Sequence, residues 1–374
     1  MKAYVWGLDL VRFAAALMVV MFHFSWQQSN PQIGFDAGWI GVEIFFVISG
    51  FVIMGSAADA TPIEFAERRI ARLYPAAIAC ALLNLSVLLP FGYLAEAYGL
   101  HVREGIVEFV SSVLLFGRVF QVSALWTIPV ELAFYSLVMF ILIAGDIRRV
   151  TMLSALLIGW SALYLIPSAL SVYGLSSFYV GPLGFASQLT LVGHGCFFGV
   201  GILIWKVFNR RTSAVESVVL AAGILLCCVE ILVRSARLLP DYDFPVRLSA
   251  MAGSALAAFS ISIVVIWGAG RINNRITLPP LLSLSFRKLG LMTYPLYLTH
   301  EAVGGVTYGF FRQMGYGQGP AFLAGLGMSL AASLVIVSAV EPSLRRWLMG
   351  MLHPSLERLT SSGSFGGALG TFRS

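Results

Sequence analysis

The chain has 374 residues, of which 58% are hydrophobic and 11% charged, with a mean hydropathy of +0.86. Soluble domains carry about 25% charged residues, so this composition excludes a water-soluble fold. The net charge of +6 is spread in short basic clusters between apolar stretches, which is the pattern of membrane topology and not of a nucleic-acid surface.

The apolar stretches are roughly 17 to 23 residues long, the length of a helix through hydrocarbon and not of alternating barrel strands. The expected fold class is therefore all-α, a polytopic transmembrane helical bundle of about ten spans. They fall near 7–25, 39–56, 75–94, 123–144, 150–167, 186–206, 214–233, 248–269, 289–311 and 320–340. Ten spans put both termini on one side of the membrane. With that side cytosolic, 18 of the 24 basic residues lie inside, so both termini are expected to be cytosolic. The segment after the first span, Ser25-Trp26-Gln27-Gln28-Ser29-Asn30-Pro31, offers no small-x-small cleavage site, so the first span reads as a retained helix and not as a signal peptide. Residues 106–121 are apolar but interrupted by Glu108, Gly117 and Arg118, which suits an interfacial or re-entrant helix. One transmembrane domain over 1–353 is expected, followed by a mobile Ser- and Gly-rich cytosolic tail over 354–374. Four cysteines lie inside spans without metal-ligand spacing and read as packing residues, so no metal site and no disulfide framework is expected.

Ionisable groups inside spans are expensive and mark function or mutual pairing. In the first span Arg12 and His23 are eleven residues apart, which places them within about 20° of one helix face and about 16 Å apart along it. A snorkelling Arg12 and an interfacial His23 fit the same spacing. The second span places Glu43 at a depth similar to His23 across a short hairpin, where a carboxylate can orient an imidazole acting as a base. Between the second and third spans, Phe65 to Pro75 reads as a loop carrying Arg69 and Arg72, a pair suited to phosphate or simply to marking a cytosolic edge. Thr127, Glu131 and Tyr135 recur every fourth residue along one face, beside Trp126, and Tyr297 and His300 share another. Hydrogen bonding between helices explains these groups as well as chemistry does.

Taken together, these segments resemble the acyltransferase-3 family of bacterial membrane O-acyltransferases. The resemblance rests on Arg12-x10-His23, on Gly41-Val42-Glu43-x-Phe45-Phe46-Val47-x-Ser49-Gly50-Phe51 and on Phe65-x3-Arg69-x2-Arg72-x2-Pro75. It extends through Trp126-Thr127-x3-Glu131-x2-Phe134-Tyr135 and Tyr294-x2-Tyr297-Leu298-x-His300. The family usually has Asp where this chain has Glu43, and Ser where it has Thr127. The resemblance implies a bacterial inner-membrane enzyme that moves an acyl group, most often acetyl, from cytosolic acyl-coenzyme A to a hydroxyl of an exopolysaccharide, lipopolysaccharide or similar glycan, with no permanently bound cofactor. Arg12, Arg69 and Arg72 would then hold the donor phosphates. His23, oriented by Glu43, would act as general base or acyl carrier, with Ser49, Thr127 and Tyr297 as possible oxyanion donors. Trp126, Glu131, Tyr135 and His300 would complete the polar site. A proton-coupled transporter would also place His, Glu and Arg within spans, but the paired repeats or matched broken helices common in that class are not visible here.

Overall fold

The computed structural model describes residues 5–26, 34–91, 107, 109–111, 113–114, 123–145, 150–209, 213–238, 244–272 and 278–361. Among these there is no strand, and most of the segment 106–121 expected to be re-entrant lies outside the described residues. The helices are α1 (Trp6–Trp26), α2 (Ile40–Ala57), α3 (Pro62–Phe91), α4 (Thr127–Ile143), α5 (Val150–Val172), α6 (Gly195–Asn209), α7 (Ala214–Leu238), α8 (Phe244–Ile272), α9 (Pro280–Thr299), α10 (Gly305–Gln313), α11 (Gln318–Val335) and α12 (Glu341–Ser361). Two widened π turns, His300–Gly304 and Ile336–Val340, join α9 to α10 and α11 to α12 into two long continuous helical rods. By length and composition seven helical segments can cross a membrane: α1, α2, α3, α5, α7, α8 and the rod built on α11. Two of the remaining expected spans fall on the shorter apolar helices α4 and α6, and the third on the α9–α10 rod.

Among the boundaries that differ from the sequence reading, three have a clear local reason. The segment Phe65–Pro75 is not a loop but the first half of α3. Thr61 and Glu64 form a reciprocal capping box, with the Thr61 N–H donating to Glu64 Oε2 at 3.0 Å and the Glu64 N–H to Thr61 Oγ1 at 3.3 Å. Pro62 opens the helix, where its missing N–H costs nothing. The expected span 186–206 begins later, at Gly195, because Leu191 turns through a left-handed φ of 61° and a chain of tight turns over 189–194 follows. At the other end of the chain, α12 carries the backbone as helix to Ser361, through the first residues of the expected tail, and 362–374 lie outside the described residues.

Small residues let the central helices touch backbone to backbone, the usual solution where lipid provides no hydrophobic drive between helices. A side chain on Gly41 would strike the Ala15 carbonyl of α1, and one on Gly50 would strike Phe198 of α6. Gly201 is the tightest of these contacts: an added methyl would collide with the Val47 carbonyl and sit 2.9 Å from the Phe51 nitrogen. Gly201→Ala is therefore expected to destabilise the detergent-solubilised protein by about 1–3 kcal/mol. Gly253→Ala, on a face with no atom within 4 Å, should leave the unfolding midpoint unchanged. Around this contact Phe46, Phe134, Phe197 and Phe198 are buried, with Phe134 stacked on Phe198 at 4.4 Å between centroids. Cys80, Cys196 and Cys227 are free and buried in the same packing.

Candidate active site

A cavity of about 120 Å³ runs into the bundle between α1, α2, α3, α4 and α9. At one end it is lined by Arg12, Arg69 and Arg72, and at the other by Thr127 and Tyr297. Eight of the residues named from sequence meet on its wall: Arg12, Ser49, Arg69, Arg72, Thr127, Glu131, Tyr135 and Tyr297. Their positions follow from helix geometry. Arg69 and Arg72 are one turn apart on α3, and Thr127, Glu131 and Tyr135 are successive rungs of α4.

The basic end is ordered by partners that leave it cationic. Arg12 donates to Asp9 Oδ1 at 3.3 Å, one turn earlier on α1. Arg69 donates to Ser56 Oγ at 3.1 Å and lies over the rings of Phe65 and Tyr135, at 5.6 and 5.8 Å. Midway along the cavity, Glu131 accepts from Ser49 Oγ at 2.7 Å and from the Tyr135 hydroxyl at 2.5 Å. Two charge-assisted bonds of this kind let a carboxylate persist among helices. At the far end Thr127 Oγ1 and the Tyr297 hydroxyl are hydrogen-bonded at 3.1 Å.

His23 and Glu43 were expected to pair, and they do not. His23 Nδ1 lies 2.9 Å from Glu301 Oε1, a residue that the sequence reading passed over beside His300. The reason is the π turn. Pro295 has no N–H to give to α9, and the wider turn that follows at His300–Gly304 shifts the register so that Glu301 faces α1. Side chains meet the carbonyls of this irregular stretch: Asn84 Nδ2 donates to Leu298 O at 2.8 Å, Thr299 Oγ1 to Pro295 O at 2.8 Å, and His300 Nδ1 to Tyr297 O at 2.9 Å. Nδ1 of His23 faces Glu301 and turns Nε2 away from it, and Nδ1 of His300 is the donor to Tyr297 O. The His23 and His300 rings are 5.1 Å apart, and His300 is 6.1 Å from Tyr297. His23 thus neighbours His300, which in turn neighbours Tyr297 on the cavity wall.

Glu43 has a different partner because α7 brings one closer. Arg234 donates to Glu43 Oε1 at 2.6 Å and lies 3.8 Å from Glu230 Oε1. Its guanidinium sits between the rings of Trp39 and Trp126, at 5.1 and 5.6 Å, which is where the expected site residue Trp126 is used. His194 Nδ1 is 3.9 Å from Glu43 Oε1. The sequence reading did not single out Arg234. Its spacing four residues after Glu230 in an apolar helix was the available signal. Among the described residues, potential metal ligands come together twice, as His23 with His300 and Glu301, and as Glu43 with His194 and Glu230. In the second group Arg234 already supplies a cation.

Comparison with known proteins bears on the family of the chain. A family model described as an acyltransferase domain, Acyl_transf_3, matches residues 5–338. An O-acetyl transferase of Shigella phage Sf6 is 29% identical over 145 residues, 34% of this chain and 43% of that protein. A Bacillus subtilis (strain 168) protein named as a peptidoglycan O-acetyltransferase, YrhL, is 27% identical over 335 residues, 80% of this chain and 48% of that protein. The chain thus spans less than half the length of each of these relatives. No solved structure matches. With the model covering nearly its whole length, the chain belongs to the acyltransferase-3 family.

Proposed function

We propose that this chain is a bacterial inner-membrane O-acetyltransferase that moves an acetyl group from cytosolic acetyl-coenzyme A to a hydroxyl of a cell-envelope glycan. The observation that carries this reading is the cavity that begins at Arg12, Arg69 and Arg72 and ends at Thr127 and Tyr297, one ring short of the His23–Glu301 pair. A donor with several phosphates and a long neutral arm matches that order of charge. The relatives named as O-acetyltransferases, one of them of peptidoglycan, support a glycan acceptor.

In this reading the arginines hold the donor phosphates and the thioester reaches the Tyr297 end. His23 Nε2 takes the proton of the acceptor hydroxyl, and the oxygen attacks the thioester carbonyl. The tetrahedral oxyanion is met by the Tyr297 hydroxyl, which turns its proton to the oxyanion while accepting from Thr127 Oγ1. Collapse breaks the carbon–sulfur bond, and the imidazolium returns its proton to the thiolate, giving the acetyl ester and free coenzyme A. Glu301 replaces Glu43 as the group that orients His23 and stabilises its charged form. Glu43 serves instead as half of the buried pair with Arg234.

The reading is tested with membranes containing the chain, given radiolabelled acetyl-coenzyme A and native envelope glycan: label is expected in the glycan, and none above empty membranes would reject it. Glu301→Gln keeps the shape of the side chain but not its charge. It should lower kcat by roughly 10²-fold or more with the donor KM unchanged, since Glu301 lies away from the arginines. A change confined to KM would remove Glu301 from the chemistry.

A further inference from the structure

A second cavity opens at the arginine-rich end, between α1, α2, α3 and α9. It shares Arg12, Arg72 and Gly290 with the first and adds Arg287, which the first does not reach. Asp9 also lines it, and its remaining walls are apolar, including Val5, Leu8 and Phe51. Arg287 is exposed, so its guanidinium is not sealed inside the bundle. Gly290 keeps the junction open, because a side chain there would occupy the place of Asp9, the residue that steadies Arg12. Three arginines against one aspartate leave this mouth cationic.

From this we infer that the two cavities form one divided donor site, in which Arg287 is a specificity-determining residue that recognises a phosphate on the nucleotide end of the donor. The inference rests on the acetyl-coenzyme A reading and deepens it. The order of groups along the donor is a neutral pantetheine arm, a pyrophosphate, and a ribose bearing a 3′-phosphate. The order along the protein is the inner cavity, the shared Arg12 and Arg72, and then Arg287 in the outer cavity alone. Matching the two sequences of charge puts the pyrophosphate at the shared arginines and the 3′-phosphate at Arg287. The apolar walls beside it suit the flat face of a base. The consequence is discrimination: a donor lacking the 3′-phosphate would fill the inner cavity and the junction but leave Arg287 without its partner.

The test measures binding of coenzyme A and 3′-dephospho-coenzyme A to the purified full chain in detergent, for wild type, Arg287→Gln and Lys288→Gln. Wild type is expected to prefer coenzyme A by about tenfold, the scale of one charge-assisted phosphate contact. Arg287→Gln should bring coenzyme A down to the affinity of the dephospho form while leaving that form within about twofold. Lys288→Gln, an exposed neighbour that lines neither cavity, should keep the preference. Equal affinity of wild type for both probes, or equal loss of both in Arg287→Gln, would overturn the assignment of Arg287 and leave the donor reading intact. Failure of wild type to bind either probe would overturn the donor reading and this inference with it.

Discussion

Replacing His23 by alanine is expected to abolish acetyl transfer, with a loss of about 10²–10⁴-fold, the range a positioned general base supplies, while coenzyme A binding stays at the wild-type level. The separation follows from the layout. His23 is about 16 Å along α1 from Arg12, lines neither cavity, and packs against His300 and Glu301 at the opposite end of the site. Its removal costs the proton acceptor without touching the phosphate grip. His23→Gln should fail equally, because an amide fills the space and can hydrogen-bond Glu301 but cannot accept the acceptor's proton. Activity in both variants at equal expression would transfer the role of base to His300, whose Nε2 has no hydrogen-bond partner among the described residues.

The second large effect falls on stability. Arg234→Met should lower the unfolding free energy by about 3–5 kcal/mol, the cost of stranding buried charge by removing one partner. Glu43 is fully buried and Glu230 nearly so, and Arg234 is the cation within reach of both. Combining Arg234→Met with Glu43→Gln and Glu230→Gln should recover a large part of the loss, since the penalty belongs to the uncompensated carboxylates and not to missing contacts. Arg237 provides the contrast. It donates to the Tyr164 hydroxyl at 2.5 Å and to Val180 O at 2.6 Å, both neutral groups, so Arg237→Met should cost only about 1–3 kcal/mol. Thermal unfolding in detergent reads all of these. Equal losses for Arg234→Met and Arg237→Met, with no recovery in the triple variant, would contradict the account of the buried pair.

Much of the fold was legible because lipid enforces a simple rule: a long apolar run must be a helix whose backbone is satisfied internally. Every expected span overlaps a helix, and the polar rungs Thr127, Glu131 and Tyr135 on α4 line the cavity as their spacing requires. What periodicity could not supply was which helices neighbour which. Glu43 and His23 lie at similar depth on adjacent helices, so depth alone made them partners. Arg234 from α7 and Glu301 from the π turn divided them. A π turn adds a residue to a helical register without any distinctive composition, so a reading at 100° per residue placed His300 on the site and left Glu301 unremarked. Arg287 was hidden differently. No pattern in the sequence distinguishes it, and only the folding of α9 against α1 and α3 gives it a place at a cavity mouth. The capping box at Thr61 and Glu64, in contrast, stood in the sequence as Thr-Pro-x-Glu and would have turned the expected loop around Arg69 and Arg72 into helix.

The most direct test of the central claim uses sealed, inverted membrane vesicles containing the chain, with an envelope glycan enclosed and radiolabelled acetyl-coenzyme A added outside, at the cytosolic face. The account predicts that label crosses into the enclosed glycan with wild type, and that neither His23→Ala nor an excess of coenzyme A outside permits it. Label that reaches the enclosed glycan undiminished in His23→Ala vesicles, or transfer that requires donor and glycan on the same side of the membrane, would contradict it.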